Sequence, residues 1–164
     1  MKFWNNPELQ QFLSRPRIAS RDEEVEWIKN TWERRRKGEA FIFGIFLHEK
    51  DQYIGNVELR IDNKIAQRGG LGISIFNPNY WNKGYGTEAV KLLLNFSFSS
   101  LNLRSIELEV FAFNERAQAC YRKVGFTEIG RKRQAHFLKG KFHDIVLMDI
   151  LATEFTEALE KKGE

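Results

Sequence analysis

The sequence predicts an α/β (α+β) domain built on a single sheet of about six strands flanked by four helices. Three observations carry that expectation. Apolar runs at residues 40–48 and 53–62 flank Glu49-Lys50-Asp51-Gln52, the signature of a hairpin. A third run, residues 68–76, leads through a glycine-bearing loop into residues 86–99, where Ala89, Val90, Leu93, Leu94, Phe96 and Phe98 recur at helical spacing. Beyond these lie a strand at 105–111, a short helix at 114–123, and a last hairpin pairing 127–138 with 142–152 through Lys139-Gly140-Lys141. The order is α α β β β α β α β β. At 164 residues this is one domain spanning 1–164, with a helical N-terminal part at 1–39 and a polar tail of weak helical character at 155–164.

Each element has a local reason. Asn6 is placed to cap a short helix with Pro7 at its first position and Leu9, Phe12 and Leu13 on its apolar side; Arg15-Pro16 stops it. Ser20-Arg21-Asp22-Glu23 reads as a capping box. It opens a second helix whose Val25, Ile28 and Trp32 predict a buried stripe. Acidic residues at its start and Arg34-Arg35-Arg36-Lys37 at its end complement the helix dipole, so the basic run reads as a helix terminus. Gly69-Gly70-Leu71-Gly72 predicts a bend or interruption in the third strand. In the fourth, Ile106, Leu108 and Val110 share one face and Glu107, Glu109 and Phe111 the other. Gly125 closes the short helix as its C-terminal glycine.

Composition narrows the function. With 42% hydrophobic and 13% aromatic residues, the chain has an ordinary globular makeup. Apolar runs stay far below the ~18 residues of a membrane span, and the first residues carry no secretory apolar region, so a cytoplasmic protein is expected. The single Cys120 excludes an internal disulfide framework, and His136 and His143 lack metal-ligand spacing, so no metal is expected. A net charge of +4 suits a polyanionic cofactor but brings no aromatic-basic RNA motif, so nucleic-acid binding is not expected.

The most informative stretch is Asn77-Pro78-Asn79-Tyr80-Trp81-Asn82-Lys83-Gly84-Tyr85-Gly86-Thr87. A strand, a glycine loop and a helix aim free backbone N–H groups and the positive end of a helix dipole at an anion. Gly84 and Gly86 allow close approach and positive φ, and Asn82, Lys83 and Thr87 can add donors. Gly84-x-Gly86-x-x-Ala89 also satisfies the dinucleotide fingerprint, but seven residues separate it from its strand, and Glu107 and Glu109 sit inside a strand rather than at its end.

A second segment, Asn114-Glu115-Arg116-Ala117-Gln118-Ala119-Cys120-Tyr121-Arg122-Lys123-Val124-Gly125-Phe126, follows the next strand. Together with the Trp81-to-Ala89 stretch it resembles the GNAT superfamily of acyl-CoA-dependent N-acetyltransferases, most closely the branch that acetylates ribosomal-protein N-termini. The superfamily loop is usually Arg/Gln-x-x-Gly-x-Gly/Ala; Trp81 holds the first position here, as is usual in the ribosomal-type branch. The resemblance implies a mixed sheet splayed in a V, and, since the chain enters directly on a helix, loss of the usual first edge strand. It implies acetyl-CoA as co-substrate, its pantetheine amides bonded to unpaired backbone at Ser74, Ile75 and Phe76. Its pyrophosphate would be held by the loop of Trp81, Asn82, Lys83, Gly84, Tyr85, Gly86 and Thr87. Asn114, Ala117 and Tyr121 share one helix face by their spacing. The resemblance makes Asn114 and Ala117 cofactor contacts, and Tyr121 the acid that protonates the departing thiolate.

The expected reaction is direct attack of an amine, from a protein N-terminus or a small molecule, on the thioester. The attacking amine must be neutral, which calls for a base. Glu107 and Glu109 lead, because their strand borders the cleft; Glu58, His48 and Asp144 are further candidates. Cys120 is expected to point off the Asn114 face, which argues against an acyl-cysteine. The alternatives are a polyamine or aminoglycoside acetyltransferase, disfavoured by the basic Arg131, Lys132, Arg133, Lys139 and Lys141 of the last hairpin, or a non-catalytic acyl-CoA-binding module. A monomer or homodimer without membrane partners is expected.

Overall fold

A computed structural model describes residues 7–13, 20–49 and 51–160. The expected cap at Asn6, the stop at Arg15-Pro16 and the question of a preceding edge strand all lie outside the described residues. The chain runs α1 (Pro7–Gln10), α2 (Arg21–Arg36), β1 (Ala40–Leu47), β2 (Gln52–Asn63), β3 (Arg68–Ile75), α3 (Tyr85–Asn95), β4 (Ser105–Phe111), α4 (Glu115–Val124), β5 (Thr127–Leu138), β6 (Lys141–Leu151) and α5 (Ala152–Glu160). A 3-10 turn, Pro78–Tyr80, precedes α3, and one π turn, Phe96–Ser100, extends it.

The six strands form one mixed sheet in the order β1-β2-β3-β4-β6-β5. All neighbours pair antiparallel except β3 and β4, which run parallel. The connection between them is α3, as a parallel crossover requires. One sheet face is apolar: Val57, Leu59 and Leu71 continue into Ile106, Leu108 and Val110 and then Val146, Met148 and Ile150. Against it pack Val90, Leu93 and Leu94 of α3 and Tyr121 and Val124 of α4. Each such side chain removed from water contributes about 1.5–3 kcal/mol before entropy is counted, so this face anchors both helices.

Three expectations change. The interruption expected inside β3 falls at its edges: the ladder with β2 runs unbroken from Gly69 to Ile75 but shifts register just before Gly69, and the pairing with β4 stops at Gly70. Gly69 and Gly70 exist for space. A Cβ on Gly69 would stand 2.8 Å from Arg60 O, and one on Gly70 would stand 2.2 Å from Arg60 Nη2 and 2.6 Å from Asp62 Oδ2. The tail is not simply polar: α5 makes a fifth helix among the described residues, and its Phe155 is buried with its ring 5.6 Å from that of Phe98.

The third change concerns α2. Its capping box forms, with Ser20 Oγ accepting from Glu23 N and Glu23 Oε2 accepting from Ser20 N. Its apolar stripe, however, is not buried: Val25 is 44% exposed, Ile28 48% and Trp32 58%. The helix has its caps, the Arg34 pair with Glu58 of β2, and the Arg35 guanidinium 5.6 Å from the Phe43 ring centroid of β1.

Candidate active site

The site begins where the sheet opens. β3 and β4 pair only over Arg68, Gly70 and the residue between them, against Ser105 to Glu107. Beyond Gly70 the two strands diverge into a cleft of about 890 Å³. Phe76 N donates to Ile54 O at 2.9 Å, and Ser74 lies opposite Asn56. Antiparallel alternation therefore turns the Ser74 and Phe76 backbone toward β2, and that of Ile73 and Ile75 into the opening. Of the expected pantetheine partners, Ile75 alone presents its backbone to the cleft, and Ile73 joins it. Trp81 Nε1 donates to Ile75 O at 2.8 Å and fixes the loop against the end of β3. Phe76 lies off the cleft lining, buried with its ring 5.6 Å from that of Tyr53.

The glycine loop ends in an open helix start. Gly84 takes φ +87°, and α3 begins directly after it with no side-chain cap. Its first intrahelical bond is Glu88 N to Gly84 O at 3.0 Å, which leaves the amides of Tyr85, Gly86 and Thr87 ahead of the helical ladder. A Cβ on Gly84 would meet nothing within 4 Å, so the approach to these amides is clear. Asn82 also takes positive φ, +57°, so the left-handed conformations fall at Asn82 and Gly84 rather than Gly86. These residues fit a diphosphate: several amides converge beside the positive helix end, with Lys83 on the rim. Tyr85 faces away from the cleft, its ring 6.2 Å from that of Tyr80.

Helix α4 supplies the facing wall. Asn114 caps it, its Oδ1 accepting from Ala117 N at 3.2 Å. Gly125 closes it at φ +122°, and the N–H groups of Gly125 and Phe126 both bond Tyr121 O at 3.1 Å. Those bonds hold Tyr121 in place, its ring edge-on to Phe126 at 5.7 Å. Among the described residues nothing hydrogen-bonds the Tyr121 hydroxyl, and the residue lines the cleft together with Gly84, Gly86 and Thr87. Burial pushes its phenol well above the ordinary tyrosine range, and the neighbouring Cys120 adds to the shift.

Cys120 departs from expectation. It lines the cleft and lies 3.3 Å from Thr87 Oγ1, and a Cβ on Gly86 would sit 3.8 Å from both its Sγ and Ile73 Cδ1. It is a packing joint between α3, α4 and β3. Arg116, one turn earlier, lies 3.5 Å from the Trp81 ring centroid and 5.1 Å from that of Phe12. Burial lowers its pKa, with Glu8 acting in the other direction. Reading Asn114, Ala117 and Tyr121 as one face overlooks Arg116, whose place depends on α1 lying near.

The sheet face opposite α3 and α4 carries the acids. Glu58, Asp62, Glu107 and Glu109 all line the cleft there. Each is engaged by a cation of the chain: Arg34 with Glu58 at 3.3 Å, Arg60 with Asp62 at 3.6 Å, Arg68 with Glu107 at 2.6 Å, and Lys132 with Glu109. The two favoured bases are thus both held in ion pairs. Of the other candidates, His48 and Asp144 lie off the cleft lining, Asp144 Oδ1 accepting from Gln134 N at 2.9 Å. The basic hairpin does not shape the cleft either: Arg131 turns to Glu128 and Lys132 to Glu109, and none of its five cations lines the opening.

A family model described as an acetyltransferase (GNAT) domain matches residues 1–127. The chain belongs to the GNAT acetyltransferase family. It is accordingly an enzyme that moves an acetyl group from acetyl-CoA to an amino group. Spermidine N(1)-acetyltransferase of Escherichia coli K12 is 33% identical over 110 residues, covering 67% of this GNAT chain and 59% of the relative. The solved spermidine N-acetyltransferase of Vibrio cholerae, in complex with CoA and spermine, superposes with a TM-score of 0.83 at 27% identity, covering 94% of this chain and 89% of the other. A ribosomal-protein-S5-alanine acetyltransferase from Vibrio fischeri reaches a TM-score of 0.80 at 20% identity over 92% of this chain and 84% of its own, a likeness of fold alone. Among the described residues no helix is long and apolar enough to cross a membrane, and no side-chain group is arranged to hold a metal ion.

Proposed function

We propose that this enzyme acetylates a small amine with more than one cationic nitrogen, of the polyamine class. The observation that carries this reading is the division of the cleft: open helix amides and Tyr121 on one side of the splayed strands, four carboxylates on the other. Each carboxylate is balanced by a cation, in a part-buried pair at Glu58 and in solvent-exposed pairs at Asp62, Glu107 and Glu109. The exposed pairs contribute only about 0–1 kcal/mol each, so an incoming ammonium group displaces the resident cation there at small cost. The spermidine acetyltransferases among the relatives support the same class.

In this reading the diphosphate of acetyl-CoA lies against the amides of Tyr85, Gly86 and Thr87, and its pantetheine arm passes Ile73 and Ile75. The acceptor nitrogen approaches from the acidic face, loses a proton to water there, and attacks the thioester carbonyl. The C–S bond breaks, and the sulfur takes the phenolic proton of Tyr121. The second proton shed by the acylated nitrogen returns through water to the phenolate, leaving a neutral amide, a thiol and the starting phenol. Burial keeps that phenol protonated, and the same dry surroundings raise the proton affinity of the thiolate, which makes the transfer feasible.

The test is mass spectrometry of acetyl-CoA incubations with spermine, spermidine, an aminoglycoside and N-terminal peptides. Acetylated spermine or spermidine as the main product is expected. Modification of the peptides alone moves the substrate to a protein N-terminus, and CoA binding without any product supports the binding-module alternative.

A further inference from the structure

Three glycines stand close together in β3, and two have a structural reason. A side chain at Gly69 would enter the β2 backbone, and one at Gly70 would displace the Arg60–Asp62 pair. Gly72 has no such reason. A Cβ there would meet nothing within 4 Å, and its φ lies outside the left-handed region. A glycine inside a central strand sacrifices stability and packs nothing, and it often marks a place where a ligand approaches the backbone.

Its position points to which ligand. Leu71 and Ile73 belong to the face under α3 and α4, so Gly72 faces the acidic side. It stands directly opposite Glu58 in the β2 register and lines the cleft. On its other flank the sheet has opened, since Gly70–Glu107 is the last pair of the β3–β4 ladder. A side chain at 72 would therefore project into the space bounded by Glu58 on one strand and Glu107 and Glu109 on the other. The cofactor's phosphates lie elsewhere in this reading, at the start of α3 on the far face.

We propose that Gly72 is the floor of the acceptor pocket and a determinant of specificity, its missing side chain leaving room for the hydrocarbon chain of the amine beside the carboxylates. This rests on the amine-acetylation reading above and adds the place where the acceptor lies. It predicts that acceptor affinity falls as residue 72 grows, while the cofactor is bound as before.

The experiment is the series Gly72→Ala, Gly72→Val and Gly72→Leu. It is read by thermal melting, by calorimetry with CoA, and by thiol release against spermine, spermidine and a short monoamine. Melting at or above the parent value and a CoA Kd within about twofold are expected, with the KM for spermine rising stepwise to about tenfold or more at Leu. A Leu variant whose KM values match the parent for every amine overturns the proposal. So does a loss of more than about 5 °C in the Ala variant, because position 72 would then serve the fold. A large loss of CoA affinity also overturns it, by placing residue 72 in the cofactor channel. The amine reading fails separately, on the parent protein alone, if CoA binds and no amine is turned over.

Discussion

The two walls of the cleft are built in different ways. The wall proposed for the cofactor is two continuous stretches, Trp81 to Thr87 and Asn114 to Tyr121, and much of its chemistry is backbone: the amides ahead of α3, in a loop that Trp81 ties to the Ile75 carbonyl. The acidic wall is side chains taken from β2 and β4 and balanced by cations from α2, β2, β3 and β5. The first kind of wall needs particular residues at particular spacings, because only certain residues bend the chain that way. The second needs only that distant residues meet. The cofactor wall should therefore be brittle to single changes, and the acidic wall tolerant, since any one carboxylate has neighbours of like charge.

The sharpest expected effect is at Tyr121. Tyr121→Phe should lower kcat by about 10²-fold or more and leave the CoA Kd unchanged, the pattern for loss of a general acid. Stopped turnover with unchanged calorimetry fits; full turnover removes the phenol from the proton path. The same substitution has a consequence for stability. The folded-state pKa of Tyr121 is raised above its unfolded value of 10.0. Its contribution is complete below about pH 10 and is lost as pH rises further, because the unfolded chain releases the proton first. Urea unfolding between pH 8 and 11 should therefore show parent stability falling relative to Tyr121→Phe only above about pH 10, by up to about 1.4 kcal/mol per pH unit.

Next in size is the loop. Gly84→Val forces a β-branched residue into φ +87° at the mouth of the amides. The strain is on the order of 1–3 kcal/mol and is relieved by turning those amides away. Calorimetry should show CoA affinity falling on the order of 100-fold, and a variant that binds normally would mean that the wall does not depend on backbone. Smaller still is Glu107→Gln on the acidic wall. Freed from its partner, Arg68 would oppose an approaching ammonium, so KM for spermine should rise about threefold to tenfold with kcat nearly constant. An exposed pair of this kind holds the fold by no more than about 1 kcal/mol, so the melting temperature should barely move.

The same division explains what could be read in advance. The glycine loop, the Ser20–Glu23 capping box and the Asn114-to-Gly125 helix are local, and each is written in neighbouring residues. The partners of Glu107 and Glu109 are not: Arg68 is 39 positions away and Lys132 is 23. No spacing rule connects them, so two ion-paired carboxylates read as free bases. Cys120 was misplaced because its environment depends on how α3 meets α4, and Gly72 went unread because three nearby glycines suggest one bend. Phe155 looked like part of a polar tail because its socket, Phe98, lies in a distant turn.

Helices α2 and α3 show the limit of periodicity as a guide, and the smallest predicted effect lies there. Both carry apolar residues at helical spacing, yet α3 buries Ala89, Val90, Leu93 and Leu94 while α2 buries none of its residues. Periodicity reports that a helix has an apolar side; it does not report what covers that side. Leu94 is fully enclosed, so Leu94→Ala leaves a cavity and should cost about 2–5 kcal/mol. Trp32 is 58% exposed, and a Trp32→Ser change removes little that the fold has taken out of water. Its effect on urea unfolding should stay within about 0.5 kcal/mol, the range of an ordinary surface substitution. A much larger loss would mean that the α2 stripe is covered in solution, and the contrast between the two helices would then be one of partner rather than of burial.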